Sequence, residues 1–423
     1  MVNRESVLEA HRKNRGKIEI VGRVQLKTKE DLSTYYTPGV AYACLAIKEN
    51  RDSVYDYTMK GRTIAIVTDG TRILGLGNIG PEAGMPVMEG KALLMKKYGG
   101  FDAVPICLGT TDEEKIVEII KALAPSFGAI NIEDIETPKC FAIFDRLKNE
   151  LEIPVFHDDR NGVAAVTLAG VYNSLKLVGK QLKDVKIVIN GAGAAGVGIA
   201  EVLVYAGAKR VYLVDRKGLI YRGRTENMNY IKEIIANSTN RELLKGTLES
   251  AVKGADILIG ASSKGAFTKD MVKSMAERPI VFALANPEPE IDYNDALAAG
   301  AAIVATGRSD TPNQINNLSA FPGILKGVLE ARAKGIDNYV LMAAAKAIAK
   351  SVGSSLSNEH IMPDITDDKI ASRLAANVAS EVVKAISKQG LARVNVDLKE
   401  INEDVRRSLR RYRKLEMFIS RQR

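Results

Sequence analysis

The sequence predicts an α/β protein in which parallel sheets are covered by helices on both faces. Three observations support this fold class: short β-branched runs alternate with helical patterns, one run leads into a glycine-rich turn, and the chain after residue 320 is mostly helical. Strands that alternate with helices form parallel sheets, because each crossover helix returns the chain to the same end of the sheet. The strand-like runs are 63–68, 103–108, 129–132, 154–156, 186–189, 210–214, 256–259, 279–283 and 302–305.

The number of strands exceeds one nucleotide-binding unit, so we expect two domains. A chain of 423 residues with 46% hydrophobic content is sufficient for two cores. The natural boundary lies near residue 160, just before the long helical pattern 163–177. We predict an N-terminal α/β domain with a parallel sheet, a second α/β domain and a C-terminal helix, at residues 1–160, 161–395 and 396–423.

A dinucleotide fingerprint follows the strand-like run 186–189. In such a turn the first glycine makes the tight bend, the second lets the backbone approach a pyrophosphate, and the third lets the helix pack close to the strand. The next run ends at Asp215, whose carboxylate can accept hydrogen bonds from an adenosine ribose. The C-terminal half is therefore predicted to be a Rossmann domain. The residues of the turn are Gly191, Ala192, Gly193, Ala194, Ala195 and Gly196.

Composition predicts a cytoplasmic protein. Cys44, Cys107 and Cys140 form no CxxC pair, and we expect them to pack as small apolar side chains in a reducing compartment. The N-terminus lacks the apolar stretch of a signal peptide, and the sequence has no run of about 18 apolar residues that would predict a membrane span. The net charge of +9 suits anionic small molecules as well as nucleic acid, so it does not separate these classes.

The C-terminal helix is amphipathic and basic. Apolar residues recur at spacings of three and four over 398–419, and residues 396–423 hold nine Lys and Arg against five acids. We favour a solvated basic face on a helix that packs against its own body or a partner subunit. The alternative is an arm that binds a polyanion, although neither interleaved aromatic residues nor a nucleic-acid motif supports it. This helix and the apolar N-terminal segment are consistent with a homodimer.

Acidic residues follow two of the predicted strands. Ligands bind at the carboxyl ends of strands in open parallel sheets, so Glu133, Asp134 and Asp159 are expected to lie in one site. Clustered carboxylates repel one another unless a cation lies between them, and oxygen ligands suit Mg²⁺ or Mn²⁺. Only three histidines are present, which disfavours zinc. For Asp69 and Asp112 we instead favour a role as a helix N-cap.

Tyr36 and Lys91 are further candidates. Tyr36 lies in a turn that could present its phenol, and Lys91 is expected to begin an apolar helix after a glycine-rich loop. The positive end of a helix dipole would lower the pKa of Lys91, as a general base near neutral pH requires. Taken alone, a surface lysine and a packing tyrosine are the alternatives.

The motifs together resemble the malic enzyme family in its short prokaryotic form. They occur in the family's order and span most of the chain, from about residue 30 to residue 325. The matching segments are YTPGV (36–40), TDGTRILGLGNIGPEAGMPVMEGKALL (68–94), INIEDI (130–135), FHDDRNG (156–162), NGAGAAGVG (190–198), ANPEPEI (285–291) and GRSDTPNQINNLSAFPG (307–323).

The resemblance implies oxidation and decarboxylation of malate to pyruvate and CO₂ with reduction of NAD(P). Lys91 would be the general base that takes the hydroxyl proton of malate, and Tyr36 the general acid that protonates C3 after CO₂ leaves. Asp158 would lie beside Lys91 and tune it. The remaining roles implied are Mg²⁺ or Mn²⁺ binding by Glu133, Asp134 and Asp159, malate binding by Arg72, Asn286 and Asn317, with Asn286 also next to the cofactor, and cofactor binding by residues 191–196 and Asp215.

The choice of cofactor depends on the residues after the second strand. Asp215 should accept the ribose hydroxyls and repel a 2′-phosphate, which favours NAD. Arg216 and Lys217 follow it and could neutralise such a phosphate, so use of NADP stays open.

The chain departs from the family pattern beside the predicted site. Asn161 replaces a usual His or Gln, Val163 a usual Thr, and Thr311 a usual Tyr. These changes concern how the substrate fits. The alternatives are an oxidative decarboxylase of a related hydroxy acid such as tartrate, or a non-catalytic module that binds a nucleotide or polyanion.

Overall fold

The computed structural model describes residues 3–421, which form two parallel sheets with helices around them. The first sheet has four parallel strands in the order β2-β1-β3-β4. Its two central strands are fully buried, as expected where helices cover both faces. The strands are β1 (Thr63–Thr68), β2 (Asp102–Cys107), β3 (Ala129–Ile132) and β4 (Val155–His157).

The second sheet has six strands in the order β10-β9-β8-β5-β6-β7. Five of them are parallel, and the two-residue strand β7 pairs antiparallel with β6 at one edge. The α/β fold class is thus confirmed, and each of the nine predicted strands forms within one residue of its expected bounds. The strands are β5 (Lys186–Asn190), β6 (Arg210–Asp215), β7 (Gly218–Leu219), β8 (Ile257–Gly260), β9 (Ile280–Ala283) and β10 (Ile303–Thr306).

Helices make the crossovers and cover the sheets. The first eight are α1 (Arg4–Asn14), α2 (Lys29–Tyr35), α3 (Val40–Glu49), α4 (Val54–Tyr57), α5 (Pro81–Leu94), α6 (Glu113–Leu123), α7 (Lys139–Glu150) and α8 (Val163–Val178). The others are α9 (Ala194–Tyr205), α10 (Tyr230–Ala236), α11 (Leu248–Val252), α12 (Lys269–Lys273), α13 (Tyr293–Ala298), α14 (Phe321–Glu330), α15 (Asn338–Ser351), α16 (Asp368–Lys388) and α17 (Leu398–Arg421). None of these helices combines the length and apolarity needed to span a bilayer.

Two acids that the sequence assigns to helix caps show how local chemistry starts the elements. Asp112 is the N-cap of α6, since its carboxylate accepts a hydrogen bond from the backbone N–H of Lys115. Asp69 does not cap a helix. Its carboxylate accepts hydrogen bonds from the backbone and hydroxyl of Thr71 and lies 2.6 Å from Lys139 Nζ, so the N-cap prediction is wrong there.

One continuous core joins the two sheets, so no linker separates them. Helix α8 leads from the first sheet to the second, and most of its residues are buried. Helix α15 packs on α8, α16 packs on both α14 and α15, and the first half of α17 packs on α16 through Ile401, Val405 and Leu409. Lys326 of α14 binds Asp404 of α17 at 2.5 Å. In the basic half of α17, Arg413 contacts Asp368 of α16 at 3.7 Å.

Residues 3–50 pack little against the rest of the chain. Helices α1, α2 and α3 bury none of their residues, although they carry several large apolar side chains. We call residues 3–50 the N-terminal arm. The arm touches α5, where the Lys17 backbone N–H donates to Glu89 and its Nζ donates to the carbonyl oxygen of Pro86.

Candidate active site

Lys91 lies at the carboxyl end of the first sheet, among carboxylates. Its Nζ is 2.5 Å from Asp158 Oδ2, 3.0 Å from Glu133 Oε1 and 4.6 Å from the centre of the Phe321 ring. The side chain of Lys91 is 11% exposed and that of Asp158 is fully buried. Burial opposes the charge on the amine, but Asp158 and Glu133 outweigh this effect and raise the pKa of Lys91 above its usual value.

The predicted helix position of Lys91 is wrong. Helix α5 begins at Pro81, which places Lys91 in its last turn, where the helix dipole favours a cation. Pro86 lies inside this helix. Because proline is usually found in the first turn of a helix, the sequence around Pro86 does not indicate that α5 begins as early as Pro81. The expected lowering of the pKa of Lys91 is therefore also wrong, and the carboxylates around it are the reason.

Asp158 connects the two sheets. It opens a single turn of π-helix, Asp158–Gly162, between β4 and α8. Its Oδ2 accepts hydrogen bonds from Lys91 and from the side-chain amide of Asn317, a residue that follows β10. Its Oδ1 has no hydrogen-bond partner among residues 3–421, and a Cβ at Gly162 would come within 2.0 Å of it. Burial raises the pKa of Asp158, against the charge of Lys91.

Glu133, Asp134 and Asp159 form the predicted carboxylate cluster. One oxygen of each lies within 4.8 Å of the others. Burial and the neighbouring carboxylates raise the pKa of Asp134 to about 7, and they raise the pKa of Glu133 well above its usual value. A cation would relieve this repulsion, and three oxygen donors at this spacing suit Mg²⁺ or Mn²⁺. The residues therefore fit a divalent cation.

Backbone contacts hold the cluster in place. Asp134 has a left-handed backbone with φ of 52°, and its N–H donates to Asp159 Oδ2 at 3.0 Å. The N–H of Arg72 donates to the carbonyl oxygen of Asp134. Burial opposes ionisation of Asp159, yet the buried ring of His157 and the amide of Asp134 hold the pKa of Asp159 at about 2. The side chain of Arg72 is exposed beside this cluster and forms no ion pair with the described residues.

A cleft of about 520 Å³ lies at the carboxyl end of the second sheet, a size typical of ligand sites. The glycine turn forms one wall. A Cβ at Gly191 would come 2.2 Å from the carbonyl oxygen of Ala261, and a Cβ at Gly196 would come 1.8 Å from that of Gly191. Gly193 faces open space, which leaves its backbone approachable. The other wall residues are Thr137, Pro138, Asn190, Ala192, Asp215, Arg216, Asn227, Asn229, Lys232, Ser262 and Ser263.

Both oxygens of Asp215 already accept hydrogen bonds. Arg224 makes a two-pronged contact with the carboxylate, and Lys232 Nζ donates to Oδ2 at 2.8 Å. The amide of Asn227 and the backbone N–H of Lys217 also donate to it. Burial opposes the charge of Asp215, but these donors lower the pKa to about 2. Lys217 itself turns its Nζ to Glu226.

The structure brings most of the predicted residues together but leaves two at the margin. Asn286 follows β9 on an exposed loop, and the backbone of Gly75 packs against it. Tyr36 ends α2 in the N-terminal arm, where 68% of it is exposed. Among residues 3–421, no hydrogen bond joins the Tyr36 side chain to Lys91 or to the carboxylate cluster.

Several residues around these sites are absent from the sequence prediction. Arg224 and Lys232 come 9 and 17 residues after Asp215, and only the short hairpin of β6 and β7 folds them back. The many charged residues after Asp215 indicate that its carboxylate could be paired with a cation. They do not indicate which of the cations forms the pair. Arg160 and Glu201, 41 residues apart, pair across the two sheets and carry no such signal.

Comparisons with known proteins agree along the chain. The family model for the malic enzyme N-terminal domain matches residues 14–148, and that for the malic enzyme NAD-binding domain matches residues 161–387. The bifunctional malic/malolactic enzyme of Bacillus subtilis is 50% identical over 405 residues, which cover 96% of this chain and 98% of that protein. The NAD-dependent malic enzyme of Geobacillus stearothermophilus is 50% identical over 379 residues, 89% of this chain and 78% of that protein.

A solved structure is also similar over its full length. The crystal structure of malic enzyme from Pyrococcus horikoshii superposes with a TM-score of 0.95 at 44% identity, covering 99% of this chain and 98% of that one. Both sheets and the turn that joins them are therefore shared with that protein.

Proposed function

The chain belongs to the malic enzyme family, and on that premise we propose that it oxidises and decarboxylates L-malate to pyruvate and CO₂ with reduction of NAD(P)⁺. One observation carries the proposal: a buried amine, Lys91, contacts two carboxylates beside a three-carboxylate cluster. This combination offers a group that can move a proton next to a place for a cation. A simple binding module has no use for such an arrangement.

Lys91 is the proposed proton acceptor for the C2 hydroxyl of malate, in the state in which a cation held by the carboxylate cluster would offset the charges that raise the pKa of its amine. Asp158 holds the amine from one side, because its Oδ2 accepts a hydrogen bond from Lys91 Nζ, and Asn317 positions Asp158 by donating to the same oxygen. The centre of the Phe321 ring lies 4.6 Å from the amine. The nitrogen is thus held in one position, as proton transfer within hydrogen-bond reach requires.

Glu133, Asp134 and Asp159 are the proposed ligands of Mg²⁺ or Mn²⁺. When bound there, a divalent cation would polarise the C2 oxygen, stabilise the charge left by departing CO₂ and reduce the negative charge beside Lys91. The raised pKa of Asp134, about 7, supports a site built for a cation, since burial and carboxylate repulsion leave the anion poorly stabilised.

Arg72 is the proposed partner of a malate carboxylate. Its guanidinium is exposed, while its backbone N–H is bound to Asp134 beside the proposed metal ligands. A guanidinium binds a carboxylate through parallel hydrogen bonds, which orients the substrate as well as attracting it. Asn286 and Asn317 are the proposed amide contacts, at the loops that follow β9 and β10.

For the cofactor we propose that the cleft accepts NADP⁺ as well as NAD⁺. The sequence favoured NAD because Asp215 was expected to bind ribose hydroxyls and repel a phosphate. Both of its oxygens are instead engaged, and Arg224 and Lys232 offset its charge. Arg216 and Lys232 line the cleft, so a 2′-phosphate there would meet cations.

We further propose a homodimer in which a second copy covers the N-terminal arm. The arm buries none of its helical residues yet exposes apolar side chains, Ile20 completely. Exposed apolar surface of this kind marks contacts with other chains. Tyr36, the proposed acid that protonates C3, lies on this arm. The packing of the arm in the dimer therefore decides whether Tyr36 acts with Lys91 of its own chain or with Lys91 of the second copy.

The test is an initial-rate assay with L-malate and Mn²⁺, comparing NAD⁺ with NADP⁺, with and without EDTA. Pyruvate formed in step with cofactor reduction, and lost with EDTA, is the expected result. Lactate should be assayed as well, because one relative is named a malic/malolactic enzyme. Cofactor reduction without pyruvate would identify a plain dehydrogenase. Turnover of tartrate in place of malate, or no turnover, would favour the alternatives from the sequence.

A further inference from the structure

A buried ion pair joins the turn that carries Asp158 and Asp159 to the helix of the glycine turn. Arg160 Nη2 lies 2.6 Å from Glu201 Oε1, and Arg160 Nε donates to Glu201 Oε2 at 3.1 Å. The side chains are 9% and 21% exposed. Two parallel hydrogen bonds fix the planes of both groups, which a single contact would not do.

Residues of α7 contact the guanidinium of Arg160 as well. The Cζ of Arg160 lies 5.4 Å from the centre of the Phe141 ring and 5.2 Å from that of Phe144, both on α7. Asp145 Oδ1 of that helix is 3.6 Å from Nη1. Burial opposes the charge, but Glu201 outweighs burial and raises the pKa of Arg160. Arg160 is thus held between α7 and α9.

The backbone of the same turn also touches α9. A Cβ at Gly198 would come 2.4 Å from the carbonyl oxygen of Arg160, so only glycine permits this approach. Gly198 and Glu201 are three residues apart on α9 and therefore share a face. This helix begins at Ala194, inside the glycine turn that walls the cleft.

A short, stiff path therefore runs from the cleft to the carboxylate cluster. Helix α9 forms the end of this path at the cleft. The π-helical turn with Asp158, Asp159 and Arg160 forms the end at the carboxylate cluster. A rigid element that contacts both sites can pass a shift at one to the other.

We propose that Arg160 is a positioning residue: paired with Glu201, it couples the carboxylate cluster to the nucleotide cleft, so that a divalent cation and a nicotinamide dinucleotide each strengthen binding of the other. The inference rests on the proposed function for the identity of these two ligands. Coupling is reciprocal, so the factor by which the dinucleotide tightens the cation must equal the factor for the reverse effect.

The experiment measures Mn²⁺ dissociation constants of the full chain by the electron paramagnetic resonance signal of free Mn²⁺, with and without saturating NADPH. Malate is absent, so no turnover enters the result. In the unmodified protein the dinucleotide should tighten Mn²⁺ binding. In Glu201→Gln, Mn²⁺ alone should bind about tenfold or more weakly, as for other groups that orient metal ligands, and NADPH should no longer change its affinity.

A matched control is Arg146→Gln. Arg146 of α7 also makes a two-pronged ion pair, with Glu114, but this pair is exposed and contacts none of the site residues. This variant should retain the coupling of the unmodified protein. If Glu201→Gln fails to fold because Arg160 keeps only its longer contact with Asp145, the double variant Arg160→Gln/Glu201→Gln removes that charge and is measured instead.

Two results would overturn the inference: no coupling in the unmodified protein, or full coupling in the variants that lack the ion pair. Loss of the proposed function is a separate outcome. A protein that binds Mn²⁺ and NADPH with mutual strengthening but does not consume malate would refute the proposed activity and leave the coupling by Arg160 intact.

Discussion

Lys91 Nζ and Asp158 Oδ2 lie 2.5 Å apart although 67 residues separate them in the chain. The last turn of α5 brings one, and the turn after β4 brings the other. Since Asp158 also accepts a hydrogen bond from Asn317, three distant segments meet at one carboxylate oxygen. The proposed chemistry depends on this meeting point.

Replacing Lys91 by alanine should lower kcat for malate oxidation by about 10²–10⁴-fold, the usual contribution of a proton-transfer group. The measurement is the initial rate of cofactor reduction at saturating malate and Mn²⁺. Lys97→Ala is the control, because that lysine lies two turns on, 3.9 Å from Asp368, and contacts none of the site residues. Wild-type kcat in Lys91→Ala would remove Lys91 from the mechanism.

Mn²⁺ should stabilise the folded protein against heat, by about 2.7 kcal/mol at 100 times its dissociation constant. Asp159→Asn should largely abolish that stabilisation, because a ligand is lost, and EDTA should reverse it in the unmodified protein. Thermal melts at several Mn²⁺ concentrations measure the effect. Asp112→Asn keeps a residue that can cap α6 and should melt with the normal Mn²⁺ dependence. An unchanged response in Asp159→Asn would contradict the metal assignment.

Lys232→Met should lower kcat/KM for NADP⁺ about ten- to a hundredfold, the value of one hydrogen bond to a charged group, and should affect NAD⁺ less. The reason is that Lys232 lines the cleft beside Asp215. The ratio of the two kcat/KM values is the readout, because general damage to the cleft lowers both. Lys217→Met serves as the control, since that lysine is not among the residues that line the cleft and its Nζ contacts Glu226. Equal losses for the two cofactors would count against a phosphate contact.

Tyr36→Phe and Lys91→Ala should each be nearly inactive in converting malate to pyruvate, yet a mixture of the two should regain activity after subunit exchange. Tyr36 is 68% exposed on an arm that packs little against its own domain, so we expect it to reach the lysine of the second copy. Pyruvate formation before and after mixing is the measurement. A mixture as inactive as its components would show that Tyr36 serves its own chain, provided that native mass spectrometry detects the mixed dimer.

The fold follows from local patterns, and the errors occur where a local pattern competes with tertiary contacts. Alternating β-branched runs predicted nine strands, because a buried parallel strand must be apolar along its whole length. Strand β7 (Gly218–Leu219), which the sequence did not predict, is too short to leave a pattern. The glycine-rich loop before Lys91 suggested a helix that starts near that residue, whereas α5 starts at Pro81 and has Lys91 in its last turn.

The sequence by itself determined the fold class, the glycine turn and the set of candidate site residues, because these depend on short-range spacing and on side-chain chemistry. Only the tertiary structure decided the electrostatic state of each group. Lys91 lies between two carboxylates instead of at a helix N-terminus. The negative charge of Asp215 is balanced by the cations Arg224 and Lys232. Charge depends on what surrounds a group in space, and folding brings together residues that no sequence spacing relates.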